Sequence, residues 1–400
     1  MSKIKHILIF ITFAFLAVAL IAFFVSQRRT YHGADEYRET HEARSLSDRE
    51  IRERIGQMLM VGFRGTRADE NSAIVRAIRD VHIGGIVLFD YDVPSRSFPR
   101  NIENPSQVKE LITTLQQFSN IPLFVAVDAE GGMVNRLKPR YGFIEIPSAA
   151  EMGRGSLKRT TEIAGDLAGE LRELGFTMNL APVVDVNINT KSPVIGGLGR
   201  SFSENPDTVL AHARAFVAAY RQARIVPVLK HFPGHGSATE DSHKGFVDVT
   251  ETYRDEELVP YRMLIREGLA DAVMTAHIVN RTVDPEYPAT LSSKFLNDIL
   301  RTELGFNGII ISDDIQMRAI ADQYGVGEAA VRAIHAGIDL IAASNNLGAY
   351  DDNLASTLRD AIFQAVKKGD IPIKRIVESS NRITLLKMRT LQTSASYLLR

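Results

Sequence analysis

The chain has 400 residues, of which 45% are hydrophobic, and this is enough for the large core of a single α/β domain. Its 47 Lys and Arg residues nearly balance 48 Asp and Glu residues, so the charge gives no electrostatic reason to expect a nucleic-acid partner. The absence of cysteine excludes disulfides, thiolate metal sites, a cysteine nucleophile and a lipid anchor on cysteine.

A long apolar run lies near the start of the chain. Residues 7–25 contain a single polar side chain, Thr12, and are flanked by basic residues on both sides. At ~1.5 Å per residue such a helix nearly crosses a ~30 Å hydrocarbon core. A cleavable signal peptide is the alternative, but its apolar region is usually only about 7–15 residues long. We therefore predict a signal anchor or transmembrane segment at 1–26, a tether at 27–45, and a catalytic domain outside the cytoplasm.

The rest of the chain alternates short apolar runs with amphipathic segments. The runs are continuously apolar, as expected for parallel strands that are buried on both faces. Eight such strands are predicted, at Met58–Phe63, Gly85–Phe89, Leu123–Asp128, Asn179–Val186, Val226–His231, Ala272–His277, Gly308–Asp313 and Asp339–Ser344. The predicted helices are Asp69–Val81, Pro105–Phe118, Lys158–Leu174, Pro206–Arg224, Asp255–Gly268, Ser293–Leu304, Met317–Ala336 and Asp351–Lys368. Asn-Pro pairs mark two helix starts, and Gly175 and Gly268 stand where helices should end.

Eight repeats of strand and helix predict the fold class α/β, as a single (β/α)8 TIM-type barrel preceded by an N-terminal transmembrane helix. The barrel takes residues 46–390, and residues 391–400 form a C-terminal tail. A doubly wound open sheet is the alternative, although the sequence has no GxGxxG motif to support it. Catalytic residues of such barrels lie at the C-terminal strand ends. Polar residues occur there at Asp90, Asp128, Asp185, Lys230-His231, His277, Asp313-Asp314 and Ser344-Asn345-Asn346.

The densest polar group follows the fifth predicted strand. Residues 230–236 read Lys-His-Phe-Pro-Gly-His-Gly, and Asp241-Ser242-His243 come soon after. An aspartate two residues before a histidine can orient the ring and raise its basicity. The ordinary histidine pKa of ~6.5 suits a group that first donates and later removes a proton. A metal site made of His231, His235, Asp241 and His243 is the alternative, but the Pro-Gly turn takes the first two off any common helix face.

Ser312-Asp313-Asp314 ends the seventh predicted strand. Two carboxylates at the end of a buried strand cost free energy unless they are paired or used. One carboxylate is therefore a candidate to attack a sugar anomeric carbon, while the other caps the helix from Met317. The alternative is that both are helix caps.

Two glycine-rich turns carry further candidates for sugar binding. In the run from Asp128 to Arg136, two glycines permit a close approach to a ligand, with Asp128 accepting and Arg136 donating hydrogen bonds. The run 196–202 resembles a phosphate loop, but no Gly-Lys-Ser/Thr follows. Its Arg200 fits a donor to a hydroxyl or carbonyl group better.

Together these segments resemble glycoside hydrolase family 3, and specifically its bacterial β-N-acetylglucosaminidase branch. The resemblance covers roughly residues 46–390 and is most specific in residues 230–236 with Asp241-Ser242-His243. It implies that Asp313 is the nucleophile and that His243 is the acid/base, with Asp241 as its partner. It also implies that the N-acetylglucosamine ring is bound by Asp128, Arg136, Arg200, Lys230 and His231.

The resemblance implies a retaining β-N-acetylhexosaminidase that acts without a metal or other cofactor. Its expected substrate is terminal non-reducing β-linked N-acetylglucosamine in peptidoglycan fragments or chitooligosaccharides, cleaved through a glycosyl-aspartate. The β-glucosidase relatives take their acid from an additional domain, which we do not expect here. We expect a monomer that contacts the membrane through its N-terminal helix. The alternatives are a non-catalytic membrane-anchored sugar-binding barrel and a β-glucosidase or phosphorylase variant of the same family.

Overall fold

The computed structural model describes residues 46–242, 245 and 247–391. The chain divides into two units, Met1–Asp48 and Arg49–Arg400, and the fold below belongs to the second. Eight parallel strands form one sheet in chain order, and parallel pairing of the first strand with the last one closes it. The strands are β1 Leu59–Gly62, β2 Gly85–Leu88, β3 Phe124–Val127, β4 Met178–Asn179, β5 Val226–Phe232, β6 Ala272–Thr275, β7 Ile309–Ile311 and β8 Ile341–Ala343.

The barrel prediction is confirmed by this topology. Each strand pairs in parallel with its neighbours, and a bridge between Ile311 and Leu340 joins β7 to the start of β8. Every residue of the eight strands is buried. This burial explains why the strand sequences are continuously apolar, since both faces of each strand lie against other parts of the protein.

Helical segments lie before β1 and after the strands around the barrel. The first of them are Asp48–Gln57, Ala73–Arg76 continued by Ala77–Val81, Pro105–Gln117, Ala149–Gly153, Leu157–Leu174 and Pro206–Gln222. The later ones are Asp255–Leu258, Val259–Arg266, Lys294–Glu303, Arg318–Ala321, Val326–Ala336, Leu354–Lys368 and Ile373–Leu391. The Asn-Pro starts are confirmed, because the side chains of Asn104 and Asn205 accept hydrogen bonds from amides of the first turns. Gly175 ends its helix at a φ of 92°, which is the left-handed region that favours glycine.

Two predicted elements differ most clearly from the structure in their extent. The fourth strand was predicted over Asn179–Val186, but β4 ends at Asn179. Pro182 lacks the amide hydrogen that a ladder needs, and pairing resumes only as a single bridge between Val183 and Lys230. The helix predicted from Met317 to Ala336 is divided in two, because Gly325 has an extended backbone at the start of the second piece.

The predicted fold class also contained a transmembrane helix, and this part is corrected. In the portion of the chain that the structure describes, no helix has the length and apolar character needed to cross a bilayer. The apolar run itself, together with the predicted tether, lies outside the described residues. The fold class supported here is the parallel eight-stranded α/β barrel alone.

A buried lysine lies at the N-terminal end of the barrel. The Nζ atom of Lys387, on the last helix, is 2.9 Å from Oε1 of Gln57, just before β1, and 5.0 Å from the ring centre of Phe124 in β3. The side chain is fully buried, and this burial lowers the pKa of Lys387 to about 7. The folded protein therefore keeps Lys387 largely neutral above pH 7.

Because the unfolded lysine keeps its proton up to pH ~10.4, folding above pH 7 releases a proton from Lys387. We expect this residue to add stability as the pH rises from 7 to 10, by up to about 1.4 kcal/mol per pH unit. Urea unfolding of the wild type and of Lys387→Met should be measured from pH 6 to 9. We expect the free energy of unfolding of the wild type to rise relative to that of Lys387→Met as the pH increases. For the same substitution at the exposed Lys368, the difference in the free energy of unfolding from the wild type should not depend on pH. A constant difference for Lys387→Met would contradict the depressed pKa.

Candidate active site

A cavity of about 340 Å³ opens at the C-terminal ends of the strands. Its floor includes apolar side chains such as Met60, Val87 and Met274. The wall contains seven of the eight residues predicted for the site, namely Asp128, Arg136, Arg200, Lys230, His231, Asp241 and Asp313. The eighth, His243, lies outside the described residues. These seven residues therefore line one cavity, while the roles assigned to them stay predictions.

A buried group of charges forms one wall of the cavity. Nζ of Lys230 lies 2.8 Å from Oδ1 of Asp128 and 2.6 Å from Oε1 of Glu130. Arg200 binds the same Glu130 through two hydrogen bonds of 2.8 Å. Burial alone would raise the pKa of Glu130, but the charges of Arg200 and Lys230 outweigh it and lower this pKa to about 2. Both cations therefore have a fixed anionic partner before any ligand binds.

Asp128 is the carboxylate of this group that is best placed for a ligand. One of its oxygens accepts from Lys230, and the other lies 3.7 Å from the guanidinium of Arg136. Burial would raise the pKa of Asp128, but the charges of Lys230 and Arg136 bring it below its usual range. An ionised carboxylate has about four lone-pair positions, so Asp128 still has capacity for sugar hydroxyls.

His231 is held between two charged partners. Its Nδ1 is 2.7 Å from Oδ2 of Asp185, and its Nε2 is 3.1 Å from the guanidinium of Arg200. Because a guanidinium only donates, Nε2 accepts, and we assign the ring proton to Nδ1. The buried Asp185 also accepts the backbone amides of His231 at 3.1 Å and His235 at 2.8 Å. One carboxylate therefore orients a ring in the cavity wall and binds the chain that follows β5.

The two adjacent carboxyl groups after β7 have different surroundings. Asp314 accepts the amides of Gln316 at 3.1 Å and Ser344 at 3.2 Å, so that it links the turn after β7 to the end of β8. Burial raises the pKa of Asp314 from its usual range. Asp313 lines the cavity, and its Oδ1 accepts the amide of Asp314 at 2.8 Å. Asp314 lines the cavity as well. Its predicted role as a cap of the helix from Met317 is wrong, because Met317 is itself the N-cap residue of Arg318–Ala321 and no side chain accepts a capping hydrogen bond there.

The loop after β5 brings Asp241 and Ser242 to the cavity. The ring of His235 lies beneath it, with Nε2 at 3.4 Å from Oγ of Ser242. Burial and, to a smaller extent, the nearby His231 lower the pKa of His235 to about 4, so this ring is neutral at neutral pH. In the described part of the chain no three His, Asp or Glu side chains are grouped as metal ligands. One member of the alternative metal set, His243, is not among these residues.

Two features of the site were missed by sequence reasoning. Glu130 lies in the run from Asp128 to Arg136 but was not predicted as a site residue, although its position two residues after Asp128 was a usable signal. Tyr91 and Val93 line the rim, where the Tyr91 side chain is 41% exposed. Asn346 binds both, accepting from the amide of Val93 at 3.0 Å and donating to the carbonyl of Tyr91 at 3.1 Å. An aromatic residue three positions after the end of β2 was the signal for this rim.

Comparison with known proteins agrees with this architecture. Residues 50–386 match the glycosyl hydrolase family 3 N-terminal domain. The chain is 37% identical over 294 residues to a β-hexosaminidase of Tolumonas auensis, covering 72% of this chain and 83% of that protein. It is 34% identical over 345 residues to β-hexosaminidase LpqI of Mycobacterium tuberculosis, covering 84% of this chain and 82% of its relative.

Solved structures give the same result. A family 3 β-N-acetylglucosaminidase from a Paenibacillus species superposes with a TM-score of 0.78 at 36% identity, over 88% of this chain. This chain spans only 64% of that larger structure. Mycobacterium tuberculosis LpqI gives a TM-score of 0.71 at 32% identity, over 84% of this chain and 93% of LpqI. With its barrel, its cavity at the strand ends and a domain match across most of its length, this chain belongs to glycosyl hydrolase family 3 and is a glycoside hydrolase.

Proposed function

We propose that this chain is a retaining β-N-acetylhexosaminidase. Its substrate is terminal non-reducing β-linked N-acetylglucosamine in peptidoglycan fragments or chitooligosaccharides. The observation that carries the proposal is the single cavity in which Asp313 meets the charge-paired group around Lys230 and Asp128. The names of the relatives support the choice of a hexosamine. From the basic and apolar N-terminal sequence we also propose that the enzyme acts outside the cytoplasm.

The charge-paired wall suits an uncharged ring with several hydroxyl groups. Lys230 and Arg200 are already neutralised by Asp128 and Glu130, so an uncharged sugar binds without leaving a bare charge. The remaining lone pairs of Asp128 accept hydroxyl protons, while Arg136 donates to hydroxyl or carbonyl oxygens. These directional bonds place the anomeric carbon, and the apolar floor keeps water from the rest of the ring.

Catalysis then proceeds in two steps. A carboxylate oxygen of Asp313 attacks the anomeric carbon while the bond to the leaving oxygen breaks, and His243 gives that oxygen its proton. In the second step His243 removes a proton from water, whose oxygen attacks the same carbon and releases Asp313. Two inversions at one carbon retain the β configuration. Asp241 orients the His243 ring and stabilises its charged form.

Hydrolysis of a chromogenic β-N-acetylglucosaminide and the matching β-glucoside tests this proposal. We expect the N-acetylglucosaminide to be strongly preferred, with β-N-acetylglucosamine as the first product seen by NMR and no stimulation by phosphate. Preference for the glucoside would overturn the hexosaminidase assignment. Accumulation of a sugar 1-phosphate would instead support a phosphorylase, and an α-anomer as first product would rule out retention.

A further inference from the structure

We propose that Glu257 is a positioning residue for the acid/base step, because its buried carboxyl binds the first residues of the loop that carries Asp241 and His243. This inference rests on the proposed function, in which those two residues form the acid/base pair. The loop root, defined as residues 233–237, directly follows β5. Glu257 belongs to the short helical segment Asp255–Leu258 and lies outside the cavity wall.

The contact is made by main-chain groups of the loop root. Oε2 of Glu257 accepts the amide of Gly236 at 2.7 Å and the amide of Ser237 at 3.3 Å. The side chain of Glu257 is fully buried. Asp241 follows Ser237 by only four residues and lines the cavity. The path of the loop towards the cavity therefore begins at two amides that share one carboxylate oxygen.

The backbone of the loop root leaves no room for a side chain at its two glycines. A methyl carbon at Gly234 would lie 2.5 Å from Cβ of Glu257, and one at Gly236 would lie 1.7 Å from the carbonyl oxygen of Val186. Real Cβ atoms do not approach other atoms so closely. The hydroxyl of Tyr253 also donates to the carbonyl of Pro233 at 3.1 Å. The backbone of this segment is thus packed directly against the residues that hydrogen-bond to it.

Burial of the Glu257 carboxyl at this position costs free energy of folding. Burial raises the pKa of Glu257 to about 7, and its Oε1 has no hydrogen-bond partner among the described residues. The buried hydroxyl of Tyr261 and Nδ1 of His235 likewise have none in the described part of the chain. An apolar side chain would avoid the cost of burying a carboxyl but would leave two amides without an acceptor. The arrangement is explained if the geometry of the loop root matters to the reaction.

Leaving-group dependence separates this role from a general effect on stability. A displaced acid slows the first step, which kcat/KM reports, only when the leaving group needs a proton, whereas loss of fold slows that step for every substrate. We expect Glu257→Leu to reduce kcat/KM roughly 10–100-fold on a substrate with a poor leaving group, since small displacements of catalytic groups cost factors of this order. The kcat/KM for a dinitrophenyl N-acetylglucosaminide, whose leaving group needs no proton, should change less than about threefold at the same temperature.

Matched variants define the comparison. Glu257→Gln keeps an oxygen acceptor for both amides and should retain near wild-type rates on both substrates. Glu256→Leu changes an exposed neighbour on the same helical segment and should leave both rates unchanged. If Glu257→Leu does not fold, Glu257→Asp replaces it, because a side chain one carbon shorter draws the acceptor away from the amides. Equal losses of kcat/KM on the two substrates in the folded variant would overturn the proposal.

Hydrogen exchange tests the positioning without using activity. We expect peptides covering residues 233–242 to exchange faster in Glu257→Leu or Glu257→Asp than in Glu256→Leu, while peptides from β1–β3 do not change. Unchanged exchange would overturn the role of Glu257 even if the enzyme is a hexosaminidase. Faster exchange in an enzyme that prefers glucosides would instead support the positioning role and contradict only the proposed function.

Discussion

Replacement of Asp313 by asparagine is expected to reduce kcat/KM for a β-N-acetylglucosaminide by about 10⁴-fold or more, as loss of a covalent nucleophile does in other hydrolases. The amide has nearly the same size as the carboxyl but lacks the negative charge that attacks the anomeric carbon. The turn after β7 should persist, because the side-chain oxygen at position 313 can still accept the amide of Asp314. The variant should therefore fold and bind substrate while failing at the first step.

Trapping of the glycosyl-enzyme makes this result specific. A fluorosugar that slows the second step should label the wild type, and mass spectrometry should locate the sugar on the peptide that contains Asp313. The matched variant Asp314→Asn should still be labelled, since Asp314 binds the amides of Gln316 and Ser344. Labelling of Asp313→Asn, or loss of labelling only in Asp314→Asn, would move the nucleophile to another residue.

The second large effect is expected from His243→Ala. Loss of the general acid should slow hydrolysis of substrates with poor leaving groups by ~10²–10⁴-fold. A leaving group that needs no proton should partly restore the first step, and the glycosyl-enzyme should then accumulate because no base activates water. Pre-steady-state release of the chromophore measures this as a burst followed by slow turnover.

Two variants provide the comparison for His243. Asp241→Asn should show a smaller loss with the same leaving-group dependence, because its role is to orient the histidine ring. His335→Ala removes an exposed histidine from the helix Val326–Ala336 and should have no effect. If His243→Ala lost the same factor in kcat/KM on good and poor leaving groups, the acid would have to be sought elsewhere.

Much of the fold was predictable because the barrel imposes a simple pattern on the sequence. Strands covered on both faces appear as apolar runs, and helix starts such as Asn104-Pro105 satisfy local rules that need no tertiary information. The end of β4 was not predictable from apolar character alone, since Pro182 interrupts the ladder within an apolar stretch. The final helix, Ile373–Leu391, was missed, and its buried Lys387 fits no apolar pattern.

The cavity residues were predictable where motifs place them at strand ends, and Asp313 is the clearest case. Partners that are distant in sequence were not. Glu130 and Arg200 are 70 positions apart, and their pairing becomes visible only when β3 and the glycine-rich turn meet at one end of the barrel. Glu257 has no local signal at all, because its acceptor role depends on two backbone amides rather than on side chains.

The two bonds that Asp185 makes to main-chain amides have an evolutionary consequence. They fix the chain at His231 and His235, and Glu257 fixes it as far as Ser237. Insertions or deletions beyond Ser237 can therefore change the length of the loop without displacing the sugar-facing ring of His231. The length of the loop can therefore diverge without affecting recognition of the sugar. A lineage can vary the outer part of the site and still bind the same sugar ring.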